Sequence, residues 1–426
     1  MENKQLKYYP LTKEKDLDIL LQEVGDARIV MLGEASHGTS EYYTWRTAIS
    51  RRLIQEKGFH FIAVEGDWPE CYAVNRFVKG YERSGSKISD VLQVFRRWPT
   101  WMWANWEVAA LMEWIRDFNH LRDATHKVGF YGLDVYSLWE SLEQVLQYLE
   151  RTDGKAAEAA RNAVSCFEPF NRDPQLYAQA TAFVPTDCEQ EVVEMLQRVI
   201  RAPGATGDTE NEFNTSQNAL VAVNAEKYYR AMIKGGSGSW NVRDSHMMET
   251  LNRLLELHGP ESKVIVWEHN THIGDARATD MAEDRMHNIG QLAKEEYGKD
   301  QVKLVGFGAY QGTVIASRSW GAPMQKMDVP PAKAGSWEEL LFNLGGGDKI
   351  ILSKDLVDIP DLSRRLGHRA IGVVYDPKFE EHGNYVPTVI PKRYDAFIYF
   401  DETEAVHPLH MKIRGAKEPD LYPWNY

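Results

Sequence analysis

Hydrophobic positions in this chain follow two periods. Short unbroken apolar runs at residues 28–32, 59–64, 128–131, 263–267, 302–307, 370–375 and 395–400 predict strands. Between the early runs, apolar residues recur at helical spacing over 13–24, 39–56, 71–78 and 106–121. Alternation of this kind predicts a mainly parallel sheet with helices on both faces. From Ser137 to about Leu257 strand signals stop, and long charged helices are expected at 139–149, 156–167, 189–201, 212–234 and 242–257. Residues 203–208 and 235–239 read as turns between them. Residues 320–362 are rich in Pro and Gly, with one helix expected at 336–344. The fold class is α/β: a mainly parallel sheet with flanking helices, an inserted helical domain and a smaller α+β lobe. The domain bounds that follow are 1–136 with 258–318 for the α/β catalytic domain, 137–257 for the helical domain, and 319–426 for the small lobe and closing strands.

Four of the apolar runs stop on an acid, or on an acid with histidine. The run 28–32 leads to Glu34, Ser36 and His37; 59–64 leads to Glu65, Asp67 and Trp68; 128–131 ends near Asp134; and 263–267 ends on Glu268, His269 and His272. If these strands are parallel neighbours, their polar tips share one mouth, the usual place for a ligand in an open α/β sheet. A histidine beside a carboxylate is held in one tautomer and made more basic, which suits His37 with Glu34 for drawing a proton from water. His269 and His272 would act as acids, as donors to an oxyanion, or with a glutamate as ligands of a divalent metal. The H-E-x-x-H zincin order is absent, so no resident cofactor is assigned and a divalent metal stays open. Arg46 lies nine residues past His37 and points back to Glu34 or a substrate carbonyl, or else out to solvent. Asp244 near the start of a helix reads as a cap. The glycines at 306, 308 and 312 miss the dinucleotide spacing by one place. Ser36 lacks a nucleophile elbow, which makes it a minor candidate. The aromatic stretch around Trp101 and Trp103 reads as core packing or as a wall over the cleft.

Composition narrows the partners. The chain has 426 residues and a formal charge of -13, which disfavours a nucleic-acid backbone. It holds no apolar window of about 20 residues and no apolar signal core at its start, so neither membrane nor export is expected. Three cysteines, Cys71, Cys166 and Cys188, are too few and scattered for a disulfide framework, and a cytoplasmic setting is the default. A small-molecule substrate is the expected partner, and no pattern in the chain sets an oligomeric state.

The segments Gly33-Glu-Ala-Ser-His-Gly-Thr39, Val64-Glu-Gly-Asp-Trp-Pro69, Val74-Asn-Arg76, Trp101-Met-Trp103, Gly129-Phe-Tyr-Gly-Leu-Asp134, Arg243-Asp244 and Trp267-Glu-His-Asn-Thr-His-Ile273, in that order, resemble the erythromycin esterase family. The resemblance implies hydrolysis of a macrolide lactone, an ester-type bond, without a covalent enzyme intermediate. It implies His37 as the general base and Glu34, Arg46, Glu65, His269 and His272 as its partners. Trp68, Trp101, Trp103 and Asp134 are expected to line an apolar cleft for a bulky substrate. Some relatives carry a succinoglycan-biosynthesis label. A metal-dependent hydrolase using the same Glu/His cluster, or a non-catalytic protein that binds haem or another small ligand or assists exopolysaccharide biosynthesis, are the alternatives.

Overall fold

The computed structural model describes residues 6–183, 187–201, 209–356 and 360–411. The turn expected at 203–208 and the chain start at 1–5 lie outside the described residues.

The strands are β1 (Tyr9–Pro10), β2 (Ile29–Leu32), β3 (Phe61–Asp67), β4 (Gly129–Asp134), β5 (Val264–Trp267), β6 (Val302–Ala316), β7 (Gln325–Val329), β8 (Lys349–Leu352), β9 (Leu366–Arg369), β10 (Tyr385–Thr388) and β11 (Ala396–Thr403). One sheet runs β1-β8-β11-β6-β2-β5-β3-β4, with β7 paired to β6. From β11 to β4 every neighbouring pair is parallel. β8 and β1 close one edge antiparallel. β8 and β11, which belong to the expected lobe, therefore extend the central sheet, and β9 with β10 forms a separate two-stranded ribbon.

The helices of the first half are α1 (Asp18–Val24), α2 (Ser40–Lys57), α3 (Trp68–Val78), the single turn α4 (Ile88–Val91) and α5 (Trp106–His120). The helical layer follows as α6 (Leu138–Thr152), α7 (Gly154–Phe167), α8 (Pro174–Phe183), α9 (Glu189–Arg201), α10 (Thr209–Lys234) and α11 (Gly238–His258). α12 (Asn270–Ile273) and α13 (Ile289–Tyr297) come after β5. The pleat sends alternate side chains to opposite faces. Val30, Leu32, Ile62, Val64 and Ile265 join the cluster that includes α2 and α5. Ile29, Met31, Phe61, Ala63 and Val264 join the one that includes α11 and α13. A third core holds α6, α7, α9 and α10 together.

Two expectations change. The run 370–375 is not a strand of the sheet: it meets its neighbours through single bridges, Ile371 to Ser36 and Val374 to Ser317. It is apolar because Ile371 and Tyr375 are buried where the segment passes beside the Ser36 turn. Gly306 and Gly308 sit inside β6, where a Cβ would meet the rings of Tyr394 and Phe397 at 2.7 Å, so they answer to packing. Cys166 and Cys188 are joined by a disulfide, while Cys71 is free and buried. Helix α8 had no place in the sequence reading. Among the described residues no helix is long and apolar enough to cross a membrane.

Candidate active site

β2, β5, β3 and β4 lie side by side and parallel, so the segments that follow them open at one rim. The chain leaves β2 through Gly33, whose N–H donates to the Val305 carbonyl at 2.8 Å. A Cβ on Gly33 would stand 2.1 Å from Asn270 Oδ1, and one on Gly38 would stand 2.0 Å from the Ile315 carbonyl oxygen. The turn carrying Glu34 and His37 is thus pressed between α12 and β6, and only glycine fits at both of its ends. On β3 the register with β4 shifts between Val64 and Asp67. Such an irregularity re-aims a side chain, and the residue concerned is Glu65. Its carbonyl accepts from Trp103 Nε1 at 3.1 Å.

His37 Nδ1 donates to Glu34 Oε1 at 2.8 Å. Arg46 donates from a terminal nitrogen to Glu34 Oε2 at 2.7 Å. Arg46 is fully buried, its guanidinium 4.5 Å from the centre of the Tyr43 ring and 4.6 Å from that of Trp267. It anchors Glu34. His37 Nε2 stands 3.9 Å from Glu65 Oε1, too long for a direct hydrogen bond and short enough for one water to touch both. Burial opposes a charge on His37, but the Glu65 and Glu34 carboxylates outweigh it and raise its pKa.

Glu65 Oε2 accepts the His269 backbone N–H at 2.8 Å, and Oε1 accepts from Arg243 at 2.7 Å. Burial works against the Glu65 carboxylate, yet His272, His37 and Arg243 hold its pKa well below the usual range. Arg243 grips Asp134 with two donors, at 2.9 and 2.7 Å, and donates to His272 Nε2 at 2.9 Å. An arginine only donates, so His272 accepts at Nε2 and carries its proton on Nδ1. That nitrogen faces both oxygens of Asp244 at 3.0 Å. Trp240 stacks on the His272 ring at 4.5 Å. His269 Nδ1 accepts the Thr271 N–H at 3.3 Å, which leaves the proton on Nε2. Burial, then the His37 charge, push the His269 pKa well down, so it is neutral. Glu268 is fully buried and, among the described residues, neither of its carboxyl oxygens has a hydrogen-bond partner. Burial, followed by the Glu65 and Asp244 charges, drives its carboxyl well up.

His37, Glu65, Asp134, Arg243 and Trp103 line a cavity of about 140 Å³. Glu34, Arg46, His269 and His272 stand behind these residues. Trp68 and Trp101 do not line it: both are fully buried. Trp68 packs against Tyr72 and Tyr131 and donates to Asn214, and Trp101 meets Trp98 edge-on. Their apolar bulk serves the core, and the cavity wall is charged as well as aromatic. Asp244 is not a cap. It lies inside α11, where it holds His272 and also accepts the Ile289 N–H at 3.0 Å. Sequence reasoning passed over Arg243 as a site residue. The available signal was Trp240, Arg243 and Asp244 at i, i+3 and i+4, one face of a helix. Among the described residues no three His, Cys, Asp or Glu side chains are grouped as a metal site would need, Glu34, His37, Glu65 and His269 included. The positive charge between Glu65 and Asp134 is the guanidinium of Arg243.

A family model described as erythromycin esterase matches residues 54–403. Erythromycin esterase type II of Escherichia coli is 24% identical over 385 residues, 84% of this chain and 88% of that protein. The putative hydrolase YbfO of Bacillus subtilis (strain 168) is 22% identical over 351 residues, 77% of this chain and 74% of that one. Among solved structures, a succinoglycan biosynthesis protein superposes with a TM-score of 0.75 at 18% identity, covering 94% of this chain and 95% of its own. A mutant of the erythromycin esterase EreC in its open conformation gives 0.68 at 16% identity, covering 93% and 98%. These superpositions bear on the fold.

Proposed function

Because the chain belongs to the erythromycin esterase family, we propose that it hydrolyses an ester or lactone by direct attack of water. The observation that carries this reading is the buried series Arg46–Glu34–His37, which ends on a nitrogen facing Glu65 across 3.9 Å. In neutral His37 the proton sits on Nδ1, held by Glu34, and the Nε2 lone pair takes a proton from water. Glu65 accepts the water's other hydrogen and so aims its oxygen. The new C–O bond forms at the substrate carbonyl, whose electron pair moves to oxygen. Arg243 stabilises that oxyanion, because it lines the cavity and its charge is fixed before the reaction. Collapse expels the alkoxide, which takes the proton back from His37 and leaves as the alcohol.

Arg46, His269 and His272 act one step back in this scheme. Arg46 sets Glu34, the His269 backbone sets Glu65, and His272 with Asp244 sets Arg243. The cavity is smaller than the roughly 300–1,000 Å³ of most ligand sites. In this form it fits a small ester, or the reacting end of a larger molecule.

The test is mass spectrometry of a panel of esters, simple lactones and macrolides incubated with the protein. The wild type should add one water to at least one of them, and His37→Ala should lose at least about a hundredfold in rate with its fold intact. Turnover retained by His37→Ala would remove this mechanism.

A further inference from the structure

The same cavity holds two acids that the hydrolysis does not use. Asp67 ends β3 and is 6% exposed. Its Oδ2 takes two donors from Arg97, one of them at 2.7 Å, while its Oδ1 is buried with no hydrogen-bond partner among the described residues. Glu70, in the first turn of α3, also lines the cavity, and its Oε2 is buried and without a partner. When both groups are ionised, the two unpaired oxygens are acceptors, and an acceptor calls for a donor.

The charges of the lining set the sign of that donor. Glu65, Asp67, Glu70 and Asp134 face Arg97 and Arg243. Arg243 is committed to Glu65 and Asp134, and Arg97 to Asp67. Among the described residues Glu70 has no ion pair, and Arg97 offsets its charge only in part. Burial, and then the Asp67 charge, push its carboxyl up to about 8, and a cation beside it would reverse that shift. The aromatic wall has the same preference. The Tyr136 ring already has guanidinium groups at 5.0 Å and 4.9 Å, those of Arg97 and Arg243. Trp103 and the exposed Trp320 also line the cavity, beside the apolar Phe95 and Met102, with Trp320 4.6 Å from Trp98. Aromatic faces beside carboxylates recognise organic cations.

We propose that Asp67 and Glu70, with Trp103 and Trp320, form a subsite for a protonated amine carried by the substrate. This rests on the cavity being the substrate site of a hydrolase, and it names one group of that substrate. The amine donates N–H to Asp67 Oδ1 and Glu70 Oε2, while the ester end lies toward His37.

The full chain is titrated with 2-phenylethylammonium and with 2-phenylethanol, its neutral counterpart, following tryptophan fluorescence and calorimetry. The amine should bind at least about tenfold tighter than the alcohol. Asp67→Asn and Glu70→Gln should each erase most of that preference and leave the alcohol unchanged. Glu70→Gln is isosteric and leaves the Arg97 pair alone, so it serves if Asp67→Asn fails to fold. Equal binding of the two probes, no binding of either, or an unchanged preference in a folded Glu70→Gln would overturn the subsite. Amine binding without hydrolysis of any ester would keep the subsite and remove the hydrolase reading. Hydrolysis of neutral esters with no amine preference would do the reverse.

Discussion

His37 is useful as a base only while its Nδ1 proton stays in place, and Glu34 keeps it there because Arg46 keeps Glu34. The sequence carried this much: an acid, a histidine three residues on and an arginine nine further. It did not carry the division of labour. His269 and His272 read alike in the motif, yet one contributes a backbone N–H to Glu65 and the other a ring nitrogen to Arg243. The difference is orientation, fixed by Thr271 and by Asp244 on distant α11. Trp68 and Trp101 were misread for a related reason: a tryptophan beside a site motif looks the same whether it faces the cavity or the core. Glu268 offers a test at this scale. It sits inside the motif, but among the described residues its carboxyl has no hydrogen-bond partner, and burial keeps it protonated. Glu268→Gln should therefore change stability by less than about 1 kcal/mol and keep hydrolysis near wild type. A variant that folds but loses turnover would give Glu268 a charged role.

The turn between β2 and α2 is the element on which the site depends most. The Gly38 carbonyl accepts the N–H groups of Ile315 at 3.0 Å and Val406 at 2.9 Å, so the turn is clamped by β6 and by the segment after β11. Gly38→Ala would drive a methyl into the Ile315 backbone, which cannot rotate away. It should lower unfolding free energy by about 3 kcal/mol or more, measured by chemical denaturation; an alanine variant as stable as wild type would mean that the turn sits differently. The extents of α5 and α9 were legible because their apolar period is clear; α2 has a weak period of its own and was legible from Gly38, which closes the turn before it. The segment 370–375 was not, since an apolar run seated by single bridges has the same pattern as a buried strand. α8 was missed because its ten residues, opened by Pro174, carry a weak period.

At the scale of the whole molecule the sequence implied a parallel sheet and a shared rim, and withheld the strand order. β5 follows the helical layer in sequence yet sits between β2 and β3, which is what places His269 beside His37. The same route brings α11 back over the rim with Arg243. Cys166 and Cys188 pin the helical layer across 22 residues. By loop-closure entropy that bond contributes about 3 kcal/mol. Cys166→Ser should lower stability by about that amount under oxidising conditions and leave the active site competent; no change would mean that the two thiols are unpaired in solution. The account as a whole stands on the Glu34–His37 pair. Its most direct measurement is kcat/KM against pH, for any ester the protein turns over, in the wild type and in Glu34→Gln. His37 must be neutral to act, and its pKa is raised above 6.5. The wild-type rate should climb with pH through that raised value. In the variant the climb should move to lower pH, because a carboxylate that favoured the charged ring is gone, and the plateau should fall by about a hundredfold or more. The same climb, at the same pH, in both proteins would contradict the account.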